Sequence, residues 1–147
     1  MQITCTINSK PYRFECEPDQ RALDVLRGMG LLSLKEGCGE GECGACSIFF
    51  NGRLINSCLL LAAQMQDAEI VTLEGLQKET ETIRENFAKE GAVQCGFCTP
   101  GFVMRAYDYI KRNGTKDEKS IKEALDGNVC RCTGYQKIVE AILKSMS

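Results

Sequence analysis

A chain of 147 residues with a formal net charge of −2 and 44% hydrophobic residues has enough apolar material for one or two small cores. It shows no basic field of the kind that nucleic-acid binding needs. Ten cysteines and no histidine remove mixed cysteine–histidine zinc sites, Rieske-type centres and histidine-based catalysis, leaving all-thiolate chemistry.

The first residues, Met1-Gln2-Ile3-Thr4-Cys5, have neither the basic nor the apolar region of a secretory signal, so a cytoplasmic location is expected and disulfides are disfavoured. No apolar run approaches the roughly 20 residues of a membrane span. Ile3, Cys5 and Ile7 alternate with polar residues, predicting a half-buried strand. A turn at Asn8-Ser9-Lys10-Pro11 and a second alternation of Tyr12, Phe14 and Cys16 make this a hairpin, with Cys5 and Cys16 as small buried hydrophobes. Pro18-Asp19 introduces a short helix whose apolar face is Ala22, Leu23, Val25 and Leu26, ended by Gly28 and Gly30.

Next comes Gly37-Cys38-Gly39-Glu40-Gly41-Glu42-Cys43-Gly44-Ala45-Cys46. Cysteines spaced Cys-x4-Cys-x2-Cys, with a fourth further on at Cys58, match the plant-type ferredoxin pattern for a [2Fe–2S] cluster. An anionic cluster needs backbone N–H groups aimed at its sulfurs, and glycine permits the close approach. Ser47–Phe50 reads as a buried strand, Asn51-Gly52 as a tight hairpin turn and Arg53–Ile55 as the return. Leu59–Ala62 is expected to form one helical turn, and Ile70, Val71 and Leu73 a closing strand. Residues 1–76 thus read as a β-grasp, ferredoxin-like α+β domain.

After a linker at residues 74–78 the apolar period lengthens to 3.6. Helices are expected over residues 79–90, after Thr99-Pro100 (stripe Phe102, Val103, Ala106, Tyr107, Ile110), after an Asp117 cap (Ile121, Ala124, Leu125) and after Thr133. Thr133 with Gln136 reads as a capping box for the last helix, whose stripe is Ile138, Val139, Ile142, Leu143 and Met146. Residues 77–147 are therefore expected to be an all-α four-helix bundle. The acidic residues outnumber the basic ones in the first domain and not in the second, so the two present different surfaces.

Cys95 and Cys98 precede one of these helices, and Cys130 and Cys132 precede another. Helix N-termini offer free N–H groups and the positive dipole end, a seat for a second anionic cluster. The same four cysteines also suit a structural zinc site, which would make the chain a zinc-stabilised interaction module. Two clusters alone would equally serve a free-standing ferredoxin.

The segments 36–46, Asn56-Ser57-Cys58, Gln94-Cys95-Gly96-Phe97-Cys98-Thr99-Pro100-Gly101 and Gly127-Asn128-Val129-Cys130-Arg131-Cys132-Thr133-Gly134-Tyr135 resemble the small iron–sulfur subunit of the xanthine dehydrogenase/aldehyde oxidoreductase family of molybdenum hydroxylases. The resemblance runs in order over nearly the whole chain. It implies two [2Fe–2S] clusters, an outer one on Cys38, Cys43, Cys46 and Cys58 and an inner one on Cys95, Cys98, Cys130 and Cys132. It implies Gln94 and Cys132 as contacts to a molybdopterin-type cofactor on a large subunit, and FAD on a medium subunit as the usual acceptor. By the same resemblance the chain is an electron-transfer subunit of an oxidoreductase and has no substrate-converting site. Arg131, between two of the cysteines, is a candidate for tuning the inner cluster or for pairing with a partner's carboxylate.

Overall fold

The computed structural model describes residues 1–147. Strands β1 (Gln2–Ile7) and β2 (Lys10–Glu15) form the opening antiparallel hairpin. Ile3, Cys5 and Ile7 all point inward, as their period of two requires. Asn8 and Ser9 both adopt positive φ, 51° and 68°. Asn tolerates that region readily and Ser does not, so the turn needs outside support. Asn8 supplies it: its amide donates to Thr72 Oγ1 and its carbonyl oxygen accepts from the Thr72 N–H, both at 2.9 Å.

Helix α1 (Ala22–Gly28) is followed by the long cysteine loop, then by β3 (Ser47–Phe50), β4 (Arg53–Asn56) and β5 (Glu69–Val71). The sheet order is β2-β1-β5-β3-β4, with β5 parallel to β1 and antiparallel to β3. Ala22, Leu23, Val25 and Leu26 bury the inner face of α1 in a core shared with Ile7, Leu34, Ile48, Met65 and Ile70. Cys5 and Cys16 belong to this core, and burial pushes the Cys5 thiol up.

Two local expectations give way. Residues 59–62 do not form a helical turn: short 3₁₀ turns occupy Ser57–Leu59 and Ala62–Met65, and Leu60 and Leu61 between them are extended. The reason is a pairing invisible locally, because the Ala22 N–H donates to the Leu60 carbonyl and the Ala62 N–H to that of Gln20. Leu73 leaves the strand and begins a 3₁₀ turn, Leu73–Leu76. Leu73 and Leu76 are buried in a second core, so the segment read as a linker is packed structure.

That second core gathers helices α2 (Glu81–Lys89), α3 (Thr99–Lys111), α4 (Glu118–Ala124) and α5 (Gln136–Ser145). Helix α2 lies along α5 and touches α3, while α4 closes against α3 and α5. Phe87, Phe102, Val103, Ile121, Ile138 and Val139 are almost fully buried there. Phe49 of β3 also belongs to it, meeting Tyr107 edge-on with ring centroids 5.9 Å apart. Neighbouring residues of β3, Ile48 and Phe49, thus face opposite cores and hold the sheet against the helices.

Candidate metal centres

The loop after α1 curls around one sulfur. Cys38 Sγ accepts the backbone N–H groups of Glu42, Glu40 and Cys43 at 3.2, 3.3 and 3.4 Å. Such a curl needs left-handed backbone, supplied by Gly39 at φ 70° and Gly41 at φ 80°. The converging amides, led by that of Glu40, bring the exposed Cys38 thiol down to about 7. The Cys43 side chain lies against Gly37, where a Cβ would be 2.7 Å from Cys43 Sγ. Cys46 and Cys58 are buried beside each other, with the Cys58 N–H donating to Cys46 Sγ at 3.4 Å. Burial, reinforced by the Cys46 thiol, pushes Cys58 up to about 11. Asn56 closes the loop by donating to the Gly41 carbonyl at 3.0 Å.

The second group assembles at the starts of α3 and α5. Cys98 takes the N-cap position of α3 itself, with Thr99 as the first helical residue and Pro100 just inside. Cys130 and Cys132 stand in the loop between α4 and α5. Cys95 and Cys132 Sγ atoms are 3.6 Å apart, and Cys98 and Cys130 line the same cavity beside them. Burial pushes Cys98 up to about 12. Burial also opposes ionisation of Cys130, but the Thr133 hydroxyl and N–H outweigh it and its pKa falls. Cys95, Cys98, Cys130 and Cys132 line a cavity of about 200 Å³ whose wall also includes Gly37, Cys43 and Phe97. Arg131 lines the same cavity and is exposed, and Gln94, next to Cys95 along the chain, is exposed as well.

In both groups the cysteines lie two by two: the Cys43 N–H reaches Cys38 Sγ, the Cys58 N–H reaches Cys46 Sγ, the Cys95 and Cys132 Sγ atoms are 3.6 Å apart, and Cys98 and Cys130 share the same cavity wall. A diiron cluster takes two thiolates on each iron, so four cysteines arranged as two pairs fit it. A single tetrahedral ion, with sulfur at about 2.3 Å, would instead draw all four into one knot. Amide donors onto Cys38, Cys46 and Cys130 supply the hydrogen bonds that an anionic cluster requires.

The two groups are joined directly. The Val129 N–H donates to the Cys43 carbonyl at 3.0 Å, and Val129 is bonded to Cys130. This contact depends on Gly44, already singled out in the cysteine loop, and on Gly101, whose part sequence reasoning missed. A Cβ on Gly44 would sit 2.5 Å from both Asn128 Nδ2 and the Gly127 carbonyl, and one on Gly101 would strike the Gly44 carbonyl. Glycine inside the first turn of a helix costs about 1 kcal/mol relative to alanine, and that cost was the available signal at Gly101. The expected Thr133–Gln136 capping box is absent: Tyr135 takes the N-cap position of α5 and makes no side-chain cap. Thr133 spends its hydroxyl on Cys130 Sγ, at 3.1 Å, instead.

Comparison with known proteins agrees with this geometry. Residues 5–73 match the family model described as 2Fe-2S iron-sulfur cluster binding domain, and residues 72–143 the one described as [2Fe-2S] binding domain. The nicotinate dehydrogenase small FeS subunit of Eubacterium barkeri is 43% identical over 143 residues, covering 95% of this chain and 91% of the relative. The xanthine dehydrogenase iron-sulfur-binding subunit of Escherichia coli O157:H7 is 46% identical over 145 residues, covering 96% and 91%. Among solved structures, quinoline 2-oxidoreductase from Pseudomonas putida 86 superposes with a TM-score of 0.91 at 40% identity, covering 97% of this chain and 90% of that one. Aldehyde oxidoreductase from Desulfovibrio gigas gives 0.89 at 30% identity, with 99% of this chain matching 17% of the longer one. A ferredoxin-like sheet domain and a helical domain, both of [2Fe–2S]-binding type, define a two-cluster iron–sulfur protein. Within that class, the chain belongs to the small iron–sulfur subunits of the xanthine dehydrogenase/aldehyde oxidoreductase family of molybdenum hydroxylases.

Proposed function

We propose that this chain relays electrons within a multi-subunit molybdenum hydroxylase, from a molybdopterin-type centre on a large subunit toward FAD on a medium subunit. Cys95, Cys98, Cys130 and Cys132 hold the inner cluster, and Cys38, Cys43, Cys46 and Cys58 the outer one. A [2Fe–2S] cluster supplies one-electron uptake and release. The chain's own residues set where that happens. Gln94 and Cys132 lie exposed together and form the face toward the pterin. Cys38, exposed at the opposite end of the relay, marks the outlet.

The observation that carries this reading is the hydrogen bond from the Val129 N–H to the Cys43 carbonyl. It links Cys43, assigned to one group, to the neighbour of Cys130, assigned to the other, through a single non-covalent step, beside the close Gly44–Gly101 approach. A chain built as an interaction module has no use for that bridge, and the pairing of sulfurs argues for diiron centres over zinc. The relay uses two domains, residues 1–76 and 77–147, the second a four-helix bundle whose helix starts carry the inner ligands. No helix is long and apolar enough to cross a membrane, and a cytoplasmic complex is the setting that fits reduced cysteines.

Metal analysis of the purified complex tests the reading. Iron and acid-labile sulfide in equal amounts, with two distinct paramagnetic signals on reduction, are expected from this chain. Colourless protein carrying zinc would overturn it. A lone species of about 16 kDa from the native source, rather than a complex, would make it a free-standing ferredoxin.

A further inference from the structure

We propose that Thr133 is a positioning residue for the second thiol group, and that its hydroxyl raises the reduction potential of the cluster held there. The proposal rests on the assignment of Cys130 as a cluster ligand. The Thr133 hydroxyl donates to Cys130 Sγ at 3.1 Å and its N–H donates to the same sulfur at 3.4 Å. Among all eight thiols of the two groups, Cys130 alone receives a side-chain hydroxyl. Donation to a ligand sulfur draws electron density from it and favours the more negative, reduced state. Cys130 is only 8% exposed, so water does little to dilute the effect.

The local backbone is bent to make this contact. Gly134 and Tyr135 both have positive φ, 69° and 74°. Tyrosine rarely occupies that region, and such strain persists only where surrounding structure enforces it. Here the Tyr135 hydroxyl oxygen accepts the Cys130 N–H at 3.1 Å and its ring rests on Phe102, centroids 6.2 Å apart. The Tyr135 N–H donates back to Thr133 Oγ1 at 3.3 Å, which orients the hydroxyl proton toward sulfur. Thr133 forgoes the helix cap that its spacing to Gln136 would allow, and α5 starts without one. Arg131, though placed between two of the cysteines, is exposed, and its charge is screened by solvent.

The test is redox potentiometry of the intact complex, monitored by low-temperature electron paramagnetic resonance. Thr133→Val is expected to shift the midpoint of one cluster to lower potential and leave the other in place, and Thr133→Ser to restore the native value. Tyr135→Phe removes a bond to the Cys130 backbone but none to sulfur, so its midpoints are expected to match the native ones. A Thr133→Val complex with both clusters present and both midpoints native would overturn the tuning role. So would an equal shift in Tyr135→Phe, which would assign the effect to loop rigidity. If valine prevents assembly, Thr133→Ala carries the same expectation; loss of the second cluster from both variants would make the hydroxyl an assembly element and overturn tuning as well. A Cys130→Ala complex retaining both native signals would instead refute the ligand assignment itself.

Discussion

Cys38, Cys43 and Cys46 come from one glycine-rich loop and Cys58 from the end of the adjoining hairpin, whereas the second group joins the start of α3 to a loop two helices later. In the first, backbone does nearly everything: three amides of the same loop converge on Cys38, and glycines at positive φ aim them. In the second, the sulfurs are brought together by packing, and a side chain, Thr133, completes the polar environment. A loop-built site depends on local chemistry and tolerates change elsewhere in the fold. A packing-built site depends on helices staying in place, and inherits any weakness of their core.

Substitutions can separate these two dependencies. The largest effect is expected from Cys58→Ser, which removes a buried thiol proposed as a ligand of the loop-built site and lies outside the helical core. The outer signal is expected to vanish from the spectrum of the reduced complex while the inner one remains. Delivery to the external acceptor is expected to stop, with reduction of molybdenum by substrate intact. Abolition of the reductive half-reaction in this variant would reverse the order of the relay.

Phe102→Ala works from the other side. Phe102 is 1% exposed in the helical core and supports the Tyr135 ring. A loss of about 3–5 kcal/mol is expected from the cavity, read by chemical denaturation. The inner signal should broaden or disappear while the outer one stays sharp. Equal damage to both signals would show that the loop-built site leans on the helices more than its hydrogen bonds suggest.

Gly44→Ala strikes the contact between the groups. Its φ of 74° and the 2.5 Å approach to Asn128 Nδ2 and the Gly127 carbonyl leave no room for a methyl. A loss of about 1–3 kcal/mol is expected from backbone strain. Weakened spin coupling between the two reduced centres should accompany it, as the Val129–Cys43 hydrogen bond lengthens. Unchanged coupling would sever this bridge from the relay.

The smallest effect concerns Glu74, which anchors the segment leading into the cysteine loop. Its carboxylate accepts the Ser33 N–H at 3.0 Å and the Ser33 hydroxyl at 2.5 Å. Burial would raise its pKa, but these donors outweigh burial and hold it below the usual carboxylate range. A lowered folded value means that the contribution is present above the unfolded pKa of about 4.3 and fades as pH falls through the folded one. Native protein is therefore expected to exceed Glu74→Gln in thermal midpoint near neutrality and to lose that margin on acidification. A margin independent of pH would show that the carboxylate charge plays no part.

Much of the molecule was legible beforehand because its signals are local. Cys-x4-Cys-x2-Cys among glycines specifies a loop around an anionic cluster whatever surrounds it, and alternation at Ile3, Cys5 and Ile7 specifies a half-buried strand. The Asp117 cap is likewise local, and the structure shows it accepting the Ser120 N–H at 2.9 Å. Residues 59–62 were misread because their backbone partners, Gln20 and Ala22, lie some forty residues away. Thr133 was misread for the same reason at shorter range: its spacing to Gln136 is that of a cap, yet the sulfur of Cys130 competes for the hydroxyl and wins once Tyr135 bends the chain.

By itself, then, the order of residues set two cysteines on a strand hairpin's buried face, singled out the other eight as candidate ligands, and showed which family the chain resembles. Tertiary structure decided that Cys95 faces Cys132 and Cys98 faces Cys130, that Val129 meets Cys43, and that Thr133 serves a thiol instead of a helix. The physical reason is separation along the chain. Thr133 and Cys130 aside, these partners are more than about thirty positions apart and meet only when two cores have closed, and the shape of that closure is set by Gly44 against Gly101 and by Phe49 against Tyr107.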